Sequence, residues 1–188
     1  MSTTAHVLAA RFRSQPTPLL IFTVVFIAAG CVFAQSPDNK AKESAPRFNA
    51  TTTAGEKFNN ASIKGKVVLL EFWTTWCTYC ENERPFVERL NEDFGSKGLI
   101  VLAVDVGESK KTVKKYMAEH PRKTRIVHTD DTNLAAMYAA KSYPIYVVID
   151  REGNIAGKQD GAAGESALRD LVASGGLEGL KDASDGDR

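Results

Sequence analysis

Cys77 and Cys80 are the residues of this chain whose type and spacing carry chemistry most directly. They stand three apart in Trp76-Cys77-Thr78-Tyr79-Cys80, where an apolar run gives way to helical spacing. Two thiols so placed can close a disulfide across one helical turn. At a helix start the free amides and the helix dipole favour a thiolate on the first sulfur. Cys77 then has the position of an attacking nucleophile, and Cys80, inside the first turn, that of a resolving thiol. Half a zinc site and a structural disulfide are the competing readings. Zinc normally needs two more ligands, and neither a second cysteine pair nor a spaced pair among His6, His120 and His128 supplies them. Closing so short a loop gains little unfolded-state entropy, which weakens the structural reading. Redox chemistry is the reading the placement favours.

The elements around the pair follow from hydrophobic periodicity. Val67 to Trp73 is apolar except for Glu71 and suits a strand covered on both faces. Phe86, Leu90 and Phe94, widened by Val87, give a helical stripe that contains Pro85 and stops near Gly95. Leu99 to Val104 predicts a second buried strand, and Ser109 caps a helix ending before Pro121. Arg125 to His128 reads as a short strand, and Asp130 to Thr132 as the cap of a helix through Tyr138. Ile145 to Ile149 is a third strong strand, followed by a turn into a weaker one around Ile155 and a last helix marked by Leu168, Leu171 and Val172. Strands alternating with helices predict an α/β fold. Its central mixed sheet has parallel middle strands, an antiparallel closing hairpin and flanking helices.

The 188 residues are 43% apolar and 25% charged, enough for one domain with a real core. With 24 basic and 23 acidic residues, no basic excess points to nucleic acid. The N-terminus is an address. Arg11 and Arg13 precede an apolar run from Leu19 to Ala34, and no acid occurs before Asp38. Residues 1–34 therefore read as a signal peptide or a membrane anchor. Cleavage after Ala34, lipidation at Cys31 and an uncleaved anchor stay open. Residues 35–46 read as a polar linker, 47–178 as the folded domain and 179–188 as a disordered tail. Export would place the remaining cysteines where disulfides persist.

The segment VVLLEFWTTWCTYCENERPFVERL resembles the active-site stretch of the thioredoxin superfamily. More narrowly, it is similar to the exported, membrane-associated thiol–disulfide oxidoreductases of the TlpA/ResA type. Lys64-Gly65-Lys66, Phe72-Trp73, Trp76 before Cys77, Pro85, Ser142-Tyr143-Pro144 and the run Ile149 to Ile155 carry the resemblance, over roughly residues 46 to 175. It implies a thioredoxin-like fold and a redox-active Cys77–Cys80 disulfide. It also implies a cis-proline at Pro144 facing that pair, with Trp76, Tyr143 and Pro144 docking the substrate. Glu71, six residues before Cys77, takes the place of a buried acid that exchanges a proton with the resolving thiol. Alternation puts Leu69 and Trp73 on its face, so apolar surroundings and a raised pKa are expected. Tyr143 departs from the smaller residue common there, and Tyr79 from the usual proline. The implied partners are proteins bearing disulfides or dithiols and a membrane thiol–disulfide electron donor, in the periplasm or at the outer face of the cytoplasmic membrane. A reductant's role of the cytochrome c maturation kind fits the resemblance. No cofactor, metal or nucleic acid is expected. A thiol peroxidase on the same fold and a non-catalytic adaptor remain as alternatives.

Overall fold

A computed structural model describes residues 42–177. The expected export segment and tail, and the linker up to residue 41, lie outside the described residues. A seven-stranded sheet in the order β2-β1-β5-β4-β3-β6-β7 organises the domain. Its strands are β1 (Asn49–Thr52), β2 (Lys57–Asn59), β3 (Val67–Trp73), β4 (Leu99–Asp105), β5 (Arg125–Thr132), β6 (Ile145–Ile149) and β7 (Ile155–Asp160). The helices are α1 (Thr78–Phe94), α2 (Lys110–Glu119), α3 (Leu134–Met137) and α4 (Gly164–Ala173). β3, β4 and β5 run parallel, while β6 and β7 close the sheet antiparallel. The mixed sheet with parallel middle strands is the one the sequence pattern predicts.

All seven residues of β3 are buried, as a central strand covered on both faces requires. Successive side chains point to opposite faces. Val67 and Leu69 pack with Val87, Leu90 and Phe94 of α1 and Leu168 and Val172 of α4. Val68, Leu70 and Phe72 pack on the other face with Phe48, Ile63 and Leu134. The buried stripe of α1 is Cys80, Glu83, Val87, Leu90 and Phe94, with Phe86 only half-buried. Val87, Leu90 and Phe94 are thus buried as the periodicity predicts, and Phe86 lies at the edge of the stripe, packed against the same cluster. Gly95 leads into a 3-10 turn, Gly95–Lys97, and the left-handed stop is Gly98 at φ 101°.

Two local features differ from the sequence reading. Asp130 to Thr132 end β5, where Ala50 of β1 pairs with Thr132 and extends the strand, and Thr132 also serves the start of the next helix, its Oγ1 accepting the Leu134 N–H at 3.2 Å. The helix that follows has only four residues. The β1–β2 hairpin has no sequence counterpart above, since its few buried residues give too little alternation to read. The described end of the polar stretch, residues 42–46, packs on the domain. Ala45 N–H donates to the Gly153 carbonyl at 2.9 Å, and Lys42 Nζ lies 2.9 Å from Asp150 Oδ2.

Candidate active site

β3 carries the chain up the centre of the sheet and delivers Cys77 at its C-terminal end. Cys77 is the N-cap of α1, in extended conformation, and its N–H donates to the Thr74 carbonyl at 3.2 Å. The Cys80 N–H donates to Cys77 Sγ at 3.1 Å, so an amide of the helix's first turn points at this sulfur. The two sulfurs are bonded, with Cα atoms 5.3 Å apart. Cys77 keeps 5% of its surface exposed and Cys80 none, the order expected of attacking and resolving thiols. Thr75 fastens the preceding loop: its N–H and its hydroxyl each donate to a Glu108 carboxylate oxygen at 2.6 Å.

The surface beside the pair is aromatic. Trp76 is 69% exposed and meets the Tyr143 ring edge-on at 5.7 Å, while Tyr79 is 66% exposed. The Tyr143–Pro144 peptide is cis, as expected, and Pro144 is buried at the entry to β6. Tyr143 packs against the buried cluster that holds Trp73, Cys77 and Cys80. Trp76, Tyr143 and the two cysteines are thus brought together.

Glu71 is fully buried, which excludes a solvated carboxylate, but its surroundings are not purely apolar. Arg122, from the segment after α2, places Nη1 3.0 Å from Glu71 Oε2 and Nη2 3.5 Å from Glu81 Oε1. The same guanidinium lies 4.2 Å from the centre of the Trp73 ring. Burial raises the Glu71 pKa above the usual carboxylate range, and Arg122 offsets only part of that rise. Glu71 Oε1 has no hydrogen-bond partner among the described residues, and no hydrogen bond joins Glu71 to either cysteine. Burial pushes Glu81 upward too, but the Tyr116 hydroxyl, Arg84 and Arg122 together hold it below its ordinary value.

Sequence reasoning missed Arg122, Glu83 and the pair Asp105 and Glu108. Arg122 left no periodic signal, because it lies between elements. Glu83 left one, since it shares the α1 stripe with Val87, Leu90 and Phe94, where a buried acid must be satisfied. Its Oε1 accepts the Ala163 and Gly164 N–H groups and so caps α4 from another helix. Asp105 ends β4 opposite Trp73 and is buried with neither oxygen hydrogen-bonded. Burial, and then the nearby Glu108 carboxylate, push its pKa up to about 7. His128, read as a strand-end residue, lies inside β5 and is buried, with Nε2 3.6 Å from Asp105 Oδ2.

Known proteins share this architecture. The AhpC/TSA family profile matches residues 41–158. The thiol-disulfide oxidoreductase ResA of Bacillus subtilis (strain 168) is 30% identical over 154 residues, covering 82% of this chain and 86% of that one. The thioredoxin-like protein YneN of the same organism is 36% identical over 115 residues, 60% of this chain and 67% of that one. A thiol:disulfide interchange protein of the thioredoxin family from Chlorobium tepidum TLS superposes with a TM-score of 0.63 at 26% identity, covering 72% of this chain and 97% of the other. The chain belongs to the thioredoxin-like AhpC/TSA family and is a thiol–disulfide oxidoreductase of the ResA type.

Proposed function

We propose that the protein works outside the cytoplasm as a reductant of protein disulfides, with Cys77 as nucleophile and Cys80 as resolving thiol. The observation that carries the assignment of Cys77 as nucleophile is the Cys80 N–H directed at its Sγ at the start of α1. In the reduced protein the same amide and the helix dipole favour a Cys77 thiolate. That thiolate attacks one sulfur of a substrate disulfide, forming a mixed disulfide and releasing the other substrate sulfur as a thiolate. Cys80 gives its proton to the Glu71 carboxylate and attacks Cys77 Sγ, which releases the second substrate sulfur. Two electrons pass to the substrate, and the Cys77–Cys80 disulfide remains. A membrane dithiol donor returns it to the reduced form. Trp76 and Tyr143 supply the apolar docking surface, and the peptide around Pro144 receives an extended substrate strand. Reduced apocytochrome-type dithiols are one product class that fits.

The folded domain, residues 47–178, would be exported by residues 1–34 and joined to them by 35–46, with 179–188 as its tail. A released form beginning at Gln35 would support cleavage. A membrane-held form lost on Cys31→Ala would support lipidation. Full-length protein in the cytosol would contradict export.

Dithiothreitol-coupled reduction of insulin disulfides, run beside a peroxide-consumption assay, tests the reaction class. The proposal expects insulin reduction that disappears in Cys77→Ser, with little peroxide consumed. Rapid peroxide turnover without insulin reduction would favour a thiol peroxidase, and neither activity would favour an adaptor.

A further inference from the structure

Helix α2 lies against the dithiol cluster through Val113, Tyr116 and Met117, and its outer face carries Lys110, Lys111, Lys114 and Lys115. All four lysines are exposed. Lys110 pairs with Asp131 at 2.8 Å, whereas Lys111, Lys114 and Lys115 make no ion pair among the described residues. The arrangement works against the helix. The first turn holds no acid, so cations sit at the positive end of the helix dipole. Lys110 with Lys114, and Lys111 with Lys115, also repel at one-turn spacing. Lys111, Lys114 and Lys115 therefore add no ion pair to the packing of the described domain.

Their position beside the site gives them a use. Thr75, two residues before Cys77, lines one groove of about 360 Å³ together with Lys111, Thr112, Lys115, Tyr116 and Glu119. At its Thr75 end the groove is one residue in sequence from the exposed Trp76. Glu108, the acid nearest that end, has both oxygens engaged by Thr75. Glu119 is the single acid of the groove and sits at the far end of α2.

We propose that the lysine face of α2 is a docking surface for an acidic segment of the protein substrate, with Lys111 and Lys115 holding carboxylates a few residues from the reacting substrate cysteine. The inference rests on the oxidoreductase reading and deepens it, by naming the charge of the substrate. Trp76 and Tyr143 cover the apolar part of the substrate, and the lysines set its orientation and speed its encounter.

Two synthetic peptides test this, each holding one intramolecular disulfide and differing only in three Asp against three Asn residues on one flank. Reduced protein should reduce the Asp peptide roughly ten-fold faster at low ionic strength. The advantage should vanish near 1 M salt, where screening acts within about 3 Å. Lys111→Gln/Lys114→Gln/Lys115→Gln should abolish the advantage, while Lys64→Gln/Lys66→Gln, before β3, should keep it. Equal rates for the two peptides at low salt, or an advantage that survives the triple substitution, would overturn the docking proposal alone. Reduction of neither peptide would overturn the oxidoreductase reading and the docking surface with it.

Discussion

Arg122 Nη1 lies 3.0 Å from Glu71 Oε2, and both side chains are shut off from solvent. The guanidinium also covers Trp73, whose ring belongs to the cluster around Cys77 and Cys80. The charge of Glu71 is therefore tied to the packing beneath the dithiol. Two ions taken out of water cost several kcal/mol each, and their attraction returns that cost only while both are present.

Removal of one partner should be far more damaging than removal of both. Arg122→Met should lower stability by about 3–5 kcal/mol in urea unfolding. Arg122→Met combined with Glu71→Leu should recover most of the loss. A single variant as stable as the parent would show that the pair carries no such cost.

Glu71→Gln keeps the shape of the side chain but cannot take a proton. Exchange should slow roughly ten- to hundred-fold, more than the change in folding would explain. The parent should speed up as pH rises through the raised Glu71 pKa, and the variant should lose that rise. Stopped-flow rates between pH 6 and 9 check this; superimposable profiles would make Glu71 a structural residue.

Asp105 gives stability a pH dependence of definite sign. Its folded-state pKa of about 7 stands above the ordinary 3.8, so the folded protein holds this proton more tightly than the unfolded chain. Stability from this group is full below about pH 4 and is lost as pH rises through 7. Asp105→Asn should remove a difference on the order of 3 kcal/mol between pH 5 and pH 9 in urea unfolding of the oxidised protein. An unchanged difference in the variant would place the effect elsewhere.

Reduced protein treated briefly with iodoacetamide at mildly acidic pH should be labelled first at Cys77, at least about ten-fold faster than at Cys80. Peptide mapping by mass spectrometry reads the order. Preferential labelling of Cys80 would reverse the two roles.

The sheet and the dithiol were legible because each leaves a dense local signal. β3, β4 and β6 are nearly continuous apolar runs, and Cys77 and Cys80 are spaced as a helix start requires. The N-terminal run expected to direct export lies outside the described residues. The β1–β2 hairpin was not legible, since a short edge pair with mixed residues is stabilised by its neighbour rather than by its own pattern. Arg122 was invisible for a related reason. Its partners are 51 and 41 residues away in sequence, and only the closed fold brings a loop arginine under the strand. Glu71 announced itself as an acid in an apolar run, yet alternation alone put Leu69 and Trp73 around it and left out the cation.

Trapping of the mixed disulfide tests the ordered reaction most directly. Reduced Cys80→Ser protein incubated with insulin should accumulate a covalent adduct through Cys77, visible as a dithiothreitol-sensitive mass increase. Cys77→Ser should accumulate far less, because its remaining sulfur is buried in the first turn of α1. Equal adducts from the two variants, or an adduct formed only through Cys80, would contradict the account.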